Sequence, residues 1–441
     1  MVLNYNGGDM TLRCVEHLQK LETRADDLEL TVTIVVVDNG STDHVAATLQ
    51  KPGSTVRVLR VEKNEGFPAN NYAMGDRDDI DYVGLVNNDA FVEPGWLLPL
   101  VRELESEAKL GAVSSKMVFE PHFVEVNVSS PLFNPPGSDT RQLGVQLRGV
   151  VRDGVDVWST VQGGEGAYGR EPDGDVLFEW LAPQATVRVP FDNAQADGVI
   201  EFTLRGPSTI PVEVTVNGQT HSFIVTSADT YCSFPVSGKT VDVINNTGSI
   251  VFSDGAGADR GFLQRDDGQF ETPQDVFAWC GGSVLFRPAY LDDVGLFDER
   301  FFLYYEDTDL SWRGQARGWT YRYVPTSVLR HKHAATSNAG SAFFSYYVER
   351  NRLLMILKNA PSPMVRKDVV RYVLTTASYF RRDVVSALVH RRRPNTTITR
   401  RRVKSFLGFL KLVPSMLRTR RSLRKRQLVS DDVLVGRMVQ R

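Results

Sequence analysis

Two acidic runs carry residue types suited to catalysis, and they lie far apart in the chain. Asn87-Asn88-Asp89 follows the apolar run Tyr82 to Val86, and Glu306-Asp307-Thr308-Asp309 follows Phe301 to Tyr305. A carboxylate just past a strand, such as Asp89, can ligate Mg or Mn, hard cations that take oxygen donors and let a substrate's phosphates complete the shell. The plain alternative is an Asx turn at the strand end. In the second run Glu306, Asp307 and Asp309 are crowded by aromatics, and partial desolvation raises a carboxylate's proton affinity toward what a general base needs. Capping competes with that reading, because the first turn of a helix starting near Glu306 favours negative charge. His331 and His333, after Val324-Pro325 and Val328, could add a nitrogen donor to the same cation. A further acid, Asp38, opens Asp38-Asn39-Gly40-Ser41-Thr42-Asp43. Its carboxylate can accept hydrogen bonds from a base or ribose, Gly40 permits a tight turn, and Ser41 or Asp43 can cap the next helix, although the same string also describes a surface turn.

These residues need elements that end near one another. Met1-Val2-Leu3 reads as the end of a strand, Met10 to Leu21 as a helix, Thr31 to Val37 as a buried strand and Asp43 to Gln50 as a second helix. Val56 to Val61 and Tyr82 to Val86 add two strands, with Gly66 to Gly75 between them. Such alternation implies right-handed crossovers and a parallel sheet, whose ligands gather at the carboxyl ends of its strands. Asn4, Asp38, Asn64 and Asp89 all fall just beyond such ends. The first strand reads short, as if the start codon lay inside it.

From about 120 to 255 the texture becomes β-rich, with Val187 to Val189, Val199 to Leu204, Val212 to Val216 and Ser222 to Val225 separated by turn signals. That is the signature of a sandwich. The alternation in Val212 to Val216, followed by Asn217-Gly218, predicts a hairpin. Val276 to Val294 and Phe301 to Tyr323 then resume the mixed pattern, so the β-rich segment is expected to be an insertion. The expected division is 1–118 with 256–340 as one α/β domain, 119–255 as the insert, and 341–441 as a helical region. Helices are predicted there over Ser341 to Leu357, Val365 to Val389 and Arg402 to Met416. Within the insert, Trp158, Tyr168, Phe178 and Trp180 are either core residues or a sugar-stacking platform.

At 441 residues the chain exceeds what one core usually serves. A formal net charge of -2 conceals an asymmetry: residues 366 to 441 hold 21 Lys+Arg against 4 Asp+Glu, leaving 30 against 49 for the rest. A basic tail of this kind seeks polyanions, and three outlets are open: nucleic acid, an anionic membrane surface, or the acidic body itself. No base-reading motif is visible. The stretch Phe406 to Val413, flanked by Arg391-Arg392-Arg393, Arg400-Arg401-Arg402 and Arg418 to Arg426, has the layout of an interfacial helix, so the membrane is the expected partner. Cys14, Cys232 and Cys280 lack CxxC spacing, which argues against a disulfide framework or structural zinc and fits a reducing cytoplasm. Neither a spanning stretch nor a signal-peptide pattern is seen, which leads to the expectation of a cytoplasmic protein held peripherally at the inner face of the cell membrane. Asn127-Val128-Ser129, Asn245-Asn246-Thr247 and Asn395-Thr396-Thr397 match the glycosylation pattern as chance occurrences.

The blocks Leu3 to Gly7, Val36 to Asp43, Asn64-Glu65-Gly66-Phe67 with Asn70-Asn71, Val86 to Ala90 with Pro94 to Leu97, Cys280-Gly281-Gly282, Phe297 to Phe302 and Glu306 to Asp309 follow one another in a specific order. Together they resemble family 2 glycosyltransferases, most of all their rhamnosyltransferase-like branch, over about residues 1 to 118 and 256 to 340. The resemblance implies a GT-A fold (α/β, Rossmann-like, with a mostly parallel sheet) and an inverting, metal-dependent hexosyl transfer. The donor would be a nucleotide-diphosphate sugar, dTDP-rhamnose or a UDP-sugar. The acceptor would be a glycan or lipid-linked glycan in cell-envelope polysaccharide synthesis. By motif position, Asn4, Tyr5, Asp38, Asn64, Asn71 and Asn88 would hold the nucleotide, and Asp89 and His331 the Mn or Mg. Asp307 would be the catalytic base, supported by Glu306 and Asp309. Asn87 stands where the usual DxD metal motif has its first acid. The alternative function is a non-catalytic glycan-binding or scaffolding protein on a degenerate GT-A fold; self-association is open in either case.

Overall fold

The strand Val2–Asn4 is only three residues long, yet it lies in the middle of the main sheet, paired in parallel with Ile34–Asn39 on one side and Val83–Asn87 on the other. In the computed structural model, which describes residues 1–25, 27–135, 137, 139–332 and 341–440, the chain divides into two compact units. The first comprises residues 1–120, 245–262 and 268–440 of the described chain, and the second comprises 121–244 and 263–267.

In the first unit the main sheet runs Gln274–Val276, Thr320–His331, Leu110–Phe119, Ser283–Phe286, Val83–Asn87, Val2–Asn4, Ile34–Asn39, Val56–Val61. It is a GT-A-like mixed sheet. The N-terminal strands are parallel, as the alternating pattern predicts, but Ser283–Phe286 enters antiparallel between Val83–Asn87 and Leu110–Phe119. The buried strand expected to end at Val37 runs on through Asp38 and Asn39, both of which are buried. Valines fill its two faces because helices cover both.

The C-terminal helices belong to this same unit. Ala342–Asn359, Ser362–Phe380 and Thr397–Arg426 share a core with Phe277, Phe301 and Trp312, and Phe277 meets Trp312 edge to face at 5.4 Å. Full burial of each such side chain contributes roughly 1.5–3 kcal/mol. Within the stretch Phe406 to Val413, Phe409 is buried and Phe406, Leu412 and Val413 pack against that core, whereas Leu407 and Leu410 are exposed.

The second unit is all β. One sheet orders Gln162–Gly163, Gln184–Phe191, His122–Ser129, Ile210–Val216, Gln219–Val225; the other includes Gln146–Arg152, Gln195–Arg205 and Thr230–Lys239. Both contribute to one core, with Val126, Val187 and Val214 from the first sheet and Leu147, Phe202 and Phe234 from the second. The predicted hairpin forms, with Val216 opposite Gln219 and both Asn217 and Gly218 at positive φ, as a two-residue turn of the right twist requires. The aromatic residues considered as a sugar platform are largely engaged. Phe178 is buried, Arg170 lies 4.2 Å over the Trp158 ring, and Arg141 lies over Tyr168.

Candidate active site

The short central strand sets the first loop, and Asn4 organises it. Its Nδ2 donates to Ser41 Oγ at 3.0 Å and to Asp43, while its Oδ1 accepts from Gly7 N at 3.1 Å and Thr11 Oγ1 at 2.7 Å. All its hydrogen-bonding capacity is therefore spent on shaping the loops past two strand ends. Asn88 joins the same cluster by donating to Thr11 Oγ1, and Tyr5 remains exposed beyond it. Asp38 is buried and accepts from Ser41 N, with Arg60 at 3.5 Å.

A second pair of loops is tied by Asn39, which sequence reasoning left without a role. It donates to Asn64 Oδ1 at 3.0 Å and to Gly66 O, and accepts from Glu65 N. Gly66 has to be glycine: its φ is 76°, and a Cβ there would stand 2.0 Å from Phe302 O. Asn71 exchanges two hydrogen bonds with the backbone of Phe297, so its side chain fastens that loop. Lys63, Asn64, Asn71, Tyr72 and Glu299 are among the residues lining an open depression of about 490 Å³, a volume within the usual range for ligand sites.

Strand register explains the next pair. His331 lies opposite Ala90, which brings its ring to Asp89. His331 Nε2 is 3.1 Å from Asp89 Oδ1, and Nδ1 is 2.9 Å from Asn245 Oδ1. Both partners are acceptors, so each ring nitrogen can donate, and a cation in place of the Nε2 proton would be shared with the carboxylate. A histidine whose far nitrogen donates to a fixed oxygen has the usual form of a metal ligand, so Asp89 and His331 are placed to share a cation. Among the described residues no group of three or more His, Cys, Asp or Glu could hold a metal. Any divalent cation at Asp89 and His331 would therefore draw its remaining ligands from substrate or water. His333 lies outside the described residues.

Asp307 sits in the first turn of the helix Glu306–Ala316. Its Oδ1 accepts from Thr308 N at 2.6 Å and its Oδ2 from Gly281 N at 3.2 Å. The neighbouring Gly282 O accepts from Asn87 N at 3.0 Å. One tripeptide, Cys280-Gly281-Gly282, thus bridges the two acidic runs that the sequence holds apart. A Cβ on Gly281 would stand 3.0 Å from the Phe67 ring, so the bridge passes through a narrow gap.

The three acids of the second run differ sharply in environment. Asp309 is fully buried and paired with Arg313 at 3.0 Å, Lys358 at 2.8 Å and Asn359 at 2.8 Å, which makes it an anchor to the C-terminal helices rather than a site-facing group. Glu306 is buried with Oε2 lacking a hydrogen-bond partner; desolvation first, then Asp307, pushes its pKa well above the ordinary value. Desolvation also raises Asp307, but hydrogen bonds from Thr308 and Gly281 favour its charged form. The two adjacent carboxyls thus sit in unequal environments: burial favours the protonated form of both, and backbone donors offset it at Asp307 more than at Glu306.

The structure adds a residue that sequence reasoning missed. Asp259 ends the strand Gly257–Asp259, the second arm of a hairpin begun at Ser249–Val251. It accepts from Asn246 Nδ2 at 2.6 Å, and burial raises its pKa, with Asp307 raising it further and His331 lowering it. Asp259 thus lies within electrostatic reach of both Asp307 and His331. The hairpin's Gly257 N donates to Tyr305 Oη at 3.3 Å, beside the base helix. The available signal was Asn245-Asn246-Thr247, three polar residues in a row that are all buried.

Comparison with known proteins bears on this geometry. Residues 1–151 match the model of glycosyl transferase family 2. Two N-acetylglucosaminyl-diphospho-decaprenol L-rhamnosyltransferases of Mycobacterium tuberculosis, from strains CDC 1551 / Oshkosh and ATCC 25618 / H37Rv, are each 41% identical to this chain over 70 residues. The match covers 15% of this chain and 23% of the length of those relatives. Among solved structures, that of GalNAc-T7 with UDP, GalNAc and Mn2+ aligns at a TM-score of 0.45 and 12% identity, over 86% of this chain and 49% of that one. The mannosyltransferase PcManGT from Pyrobaculum calidifontis, in complex with GDP-Man and Mn2+, aligns at 0.39 and 12% identity, over 93% and 85%. The matched residues include Asp38 and Asp89, whereas Asp307, His331 and Asp259 lie beyond the match.

Proposed function

We propose that the protein is an inverting glycosyltransferase whose donor is a nucleotide-diphosphate sugar. The observation that carries this reading is the 280–282 bridge, which hydrogen-bonds to Asp307 on one side and to the Asn87-Asn88-Asp89 turn on the other. Asp307 accepts the acceptor hydroxyl's proton as that oxygen bonds to the anomeric carbon. The bond from that carbon to the diphosphate oxygen breaks, and the nucleoside diphosphate leaves with the electron pair. Asp89 and His331 would hold Mg or Mn, which when bound supplies positive charge to the departing diphosphate. Tyr5, just past one strand end, Asp38, near the end of the neighbouring strand, and Asn64, beside the depression, would lie along the nucleotide, with Asn4, Asn71 and Asn88 holding the loops that shape its place.

The rhamnosyltransferase relatives direct the finer reading, an L-rhamnosyl donor, with other nucleotide sugars as competitors, and a lipid-linked acceptor; the basic C-terminal region adds an anionic membrane surface as partner. The test is thermal stabilisation by dTDP and UDP with Mn2+ or Mg2+. A ligand at a hundred times its dissociation constant stabilises by about 2.7 kcal/mol. A cation-dependent rise in Tm that disappears in Asp89→Ala is expected. No stabilisation by either nucleotide in the wild type would count against the reading.

A further inference from the structure

The helix Ser362–Phe380 continues through a wider turn, Arg381–Val385, into Ser386–Val389. Asp368 and Tyr372 are buried on its inner side, where Tyr372 stacks on Phe406. Its outer side carries Val370, Val373, Leu374, Phe380, Leu388 and Val389, each 45–72% exposed. Val370 stands three and four residues from Val373 and Leu374, and with Phe380, Leu388 and Val389 it places large apolar groups where a solvated helix carries polar ones. Isolated exposed leucines need no explanation, but a stripe over about five turns does.

Its charge identifies what covers it. Residues 366–404 hold 12 Lys+Arg and 2 Asp+Glu. Both acids are spoken for, Asp368 by Arg352 and Arg371 and Asp383 by Arg382. Arg366, Lys367 and Arg381 are exposed along the stripe, and Arg391-Arg392-Arg393 lies exposed just past its end. A second copy of this chain would set this cationic surface against itself. Nucleic acid would satisfy the arginines but leave the valines and leucines in water. No helix among the described residues is long and apolar enough to cross a membrane.

We propose that the outer face of residues 366–393 docks on a lipid bilayer with anionic headgroups, its apolar stripe at the acyl boundary and its arginines on the phosphates. This deepens the membrane reading given above by moving the docking element from Phe406–Val413, half of which packs inward, to the preceding helix. A lipid-linked acceptor would give the contact its purpose, but its measurement requires neither donor nor turnover, so the two readings can fail separately.

The full chain is floated with vesicles of phosphatidylcholine alone and with vesicles that also contain phosphatidylglycerol. Binding only to the mixed vesicles, weakening as salt rises, is expected. Leu374→Glu with Leu388→Glu abolishes flotation while Tm stays unchanged, because both side chains are solvent-facing. Replacing Arg391, Arg392 and Arg393 together with alanine weakens binding on the order of a hundredfold, since each arginine near an anionic surface adds about one kcal/mol. Flotation by the glutamate variant equal to wild type overturns the proposal. So does equal binding to neutral vesicles, or a light-scattering mass that falls to half in that variant, which would assign the face to a second copy.

Discussion

Glu306 and Asp307 share a peptide bond but not a role, and the difference lies in their partners. Asp307 has backbone donors on both oxygens, whereas Glu306 has a buried oxygen with none. A carboxyl raised by burial binds its proton more tightly folded than unfolded. The stability this provides is fully present below the ordinary pKa of 4.5 and is lost as pH rises through the folded value. Glu306→Gln removes the ionisation. The variant is expected to match wild type in Tm at acid pH and to exceed it increasingly as pH rises above 4.5. A wild-type advantage at alkaline pH would show that Glu306 is charged and paired. The sequence announced this acid cluster but not its internal division. That division depends on Gly281, which the chain brings to Asp307 only through the loop between two strands.

Among elements, the loop that leads into the helix Glu306–Ala316 is held in a strained conformation. Phe302, Tyr304 and Tyr305 all have positive φ (65°, 70° and 69°), a conformation that costs bulky residues of order 1–3 kcal/mol each. Asn351, buried on the helix Ala342–Asn359, offsets this by donating to the carbonyls of Phe301, Leu303 and Tyr304 at 2.7–2.8 Å. Arg350 adds bonds to Arg300 O and Phe301 O. Asn351→Ala would strand those carbonyls and is expected to cost about 2 kcal/mol or more by urea denaturation. A change below about 0.5 kcal/mol would mean that the loop is held by other contacts. The N-terminal strands were legible because apolar runs ended at Asn4, Asp38 and Asp89. The clamp was not, since an Asn inside an apolar helix carries no sign of which loop it holds. Nor was the hairpin bearing Asp259, because its composition continues that of the β-rich segment before it.

At the scale of the molecule, the acidic body and basic tail explain part of each other. Arg420 donates to Leu357 O and Ala360 O, Arg402 pairs with Glu349, and Arg371 pairs with Asp254 at 3.1 Å; within the body, Lys358 lies between Asp298 and Asp309 at 2.6 and 2.8 Å. The charge asymmetry was plain in the sequence, but the partition of the arginines between inward and outward faces required the packing. Lys358 is fully buried, and removing one member of a buried ion network leaves the others uncompensated. Lys358→Ala is therefore expected to cost about 3 kcal/mol or more and to shift the urea midpoint without changing the slope. An unshifted midpoint would mean that the helices are held by their apolar core alone.

The account rests on Asp307 acting as a base beside a donor held by other groups. The most direct measurement is Asp307→Asn assayed in parallel for donor binding by calorimetry and for sugar transfer with dTDP-rhamnose and UDP-sugars. A donor affinity within about threefold of wild type, with transfer reduced on the order of a hundredfold to ten-thousandfold, is predicted. Transfer at the wild-type rate by this variant would contradict the account.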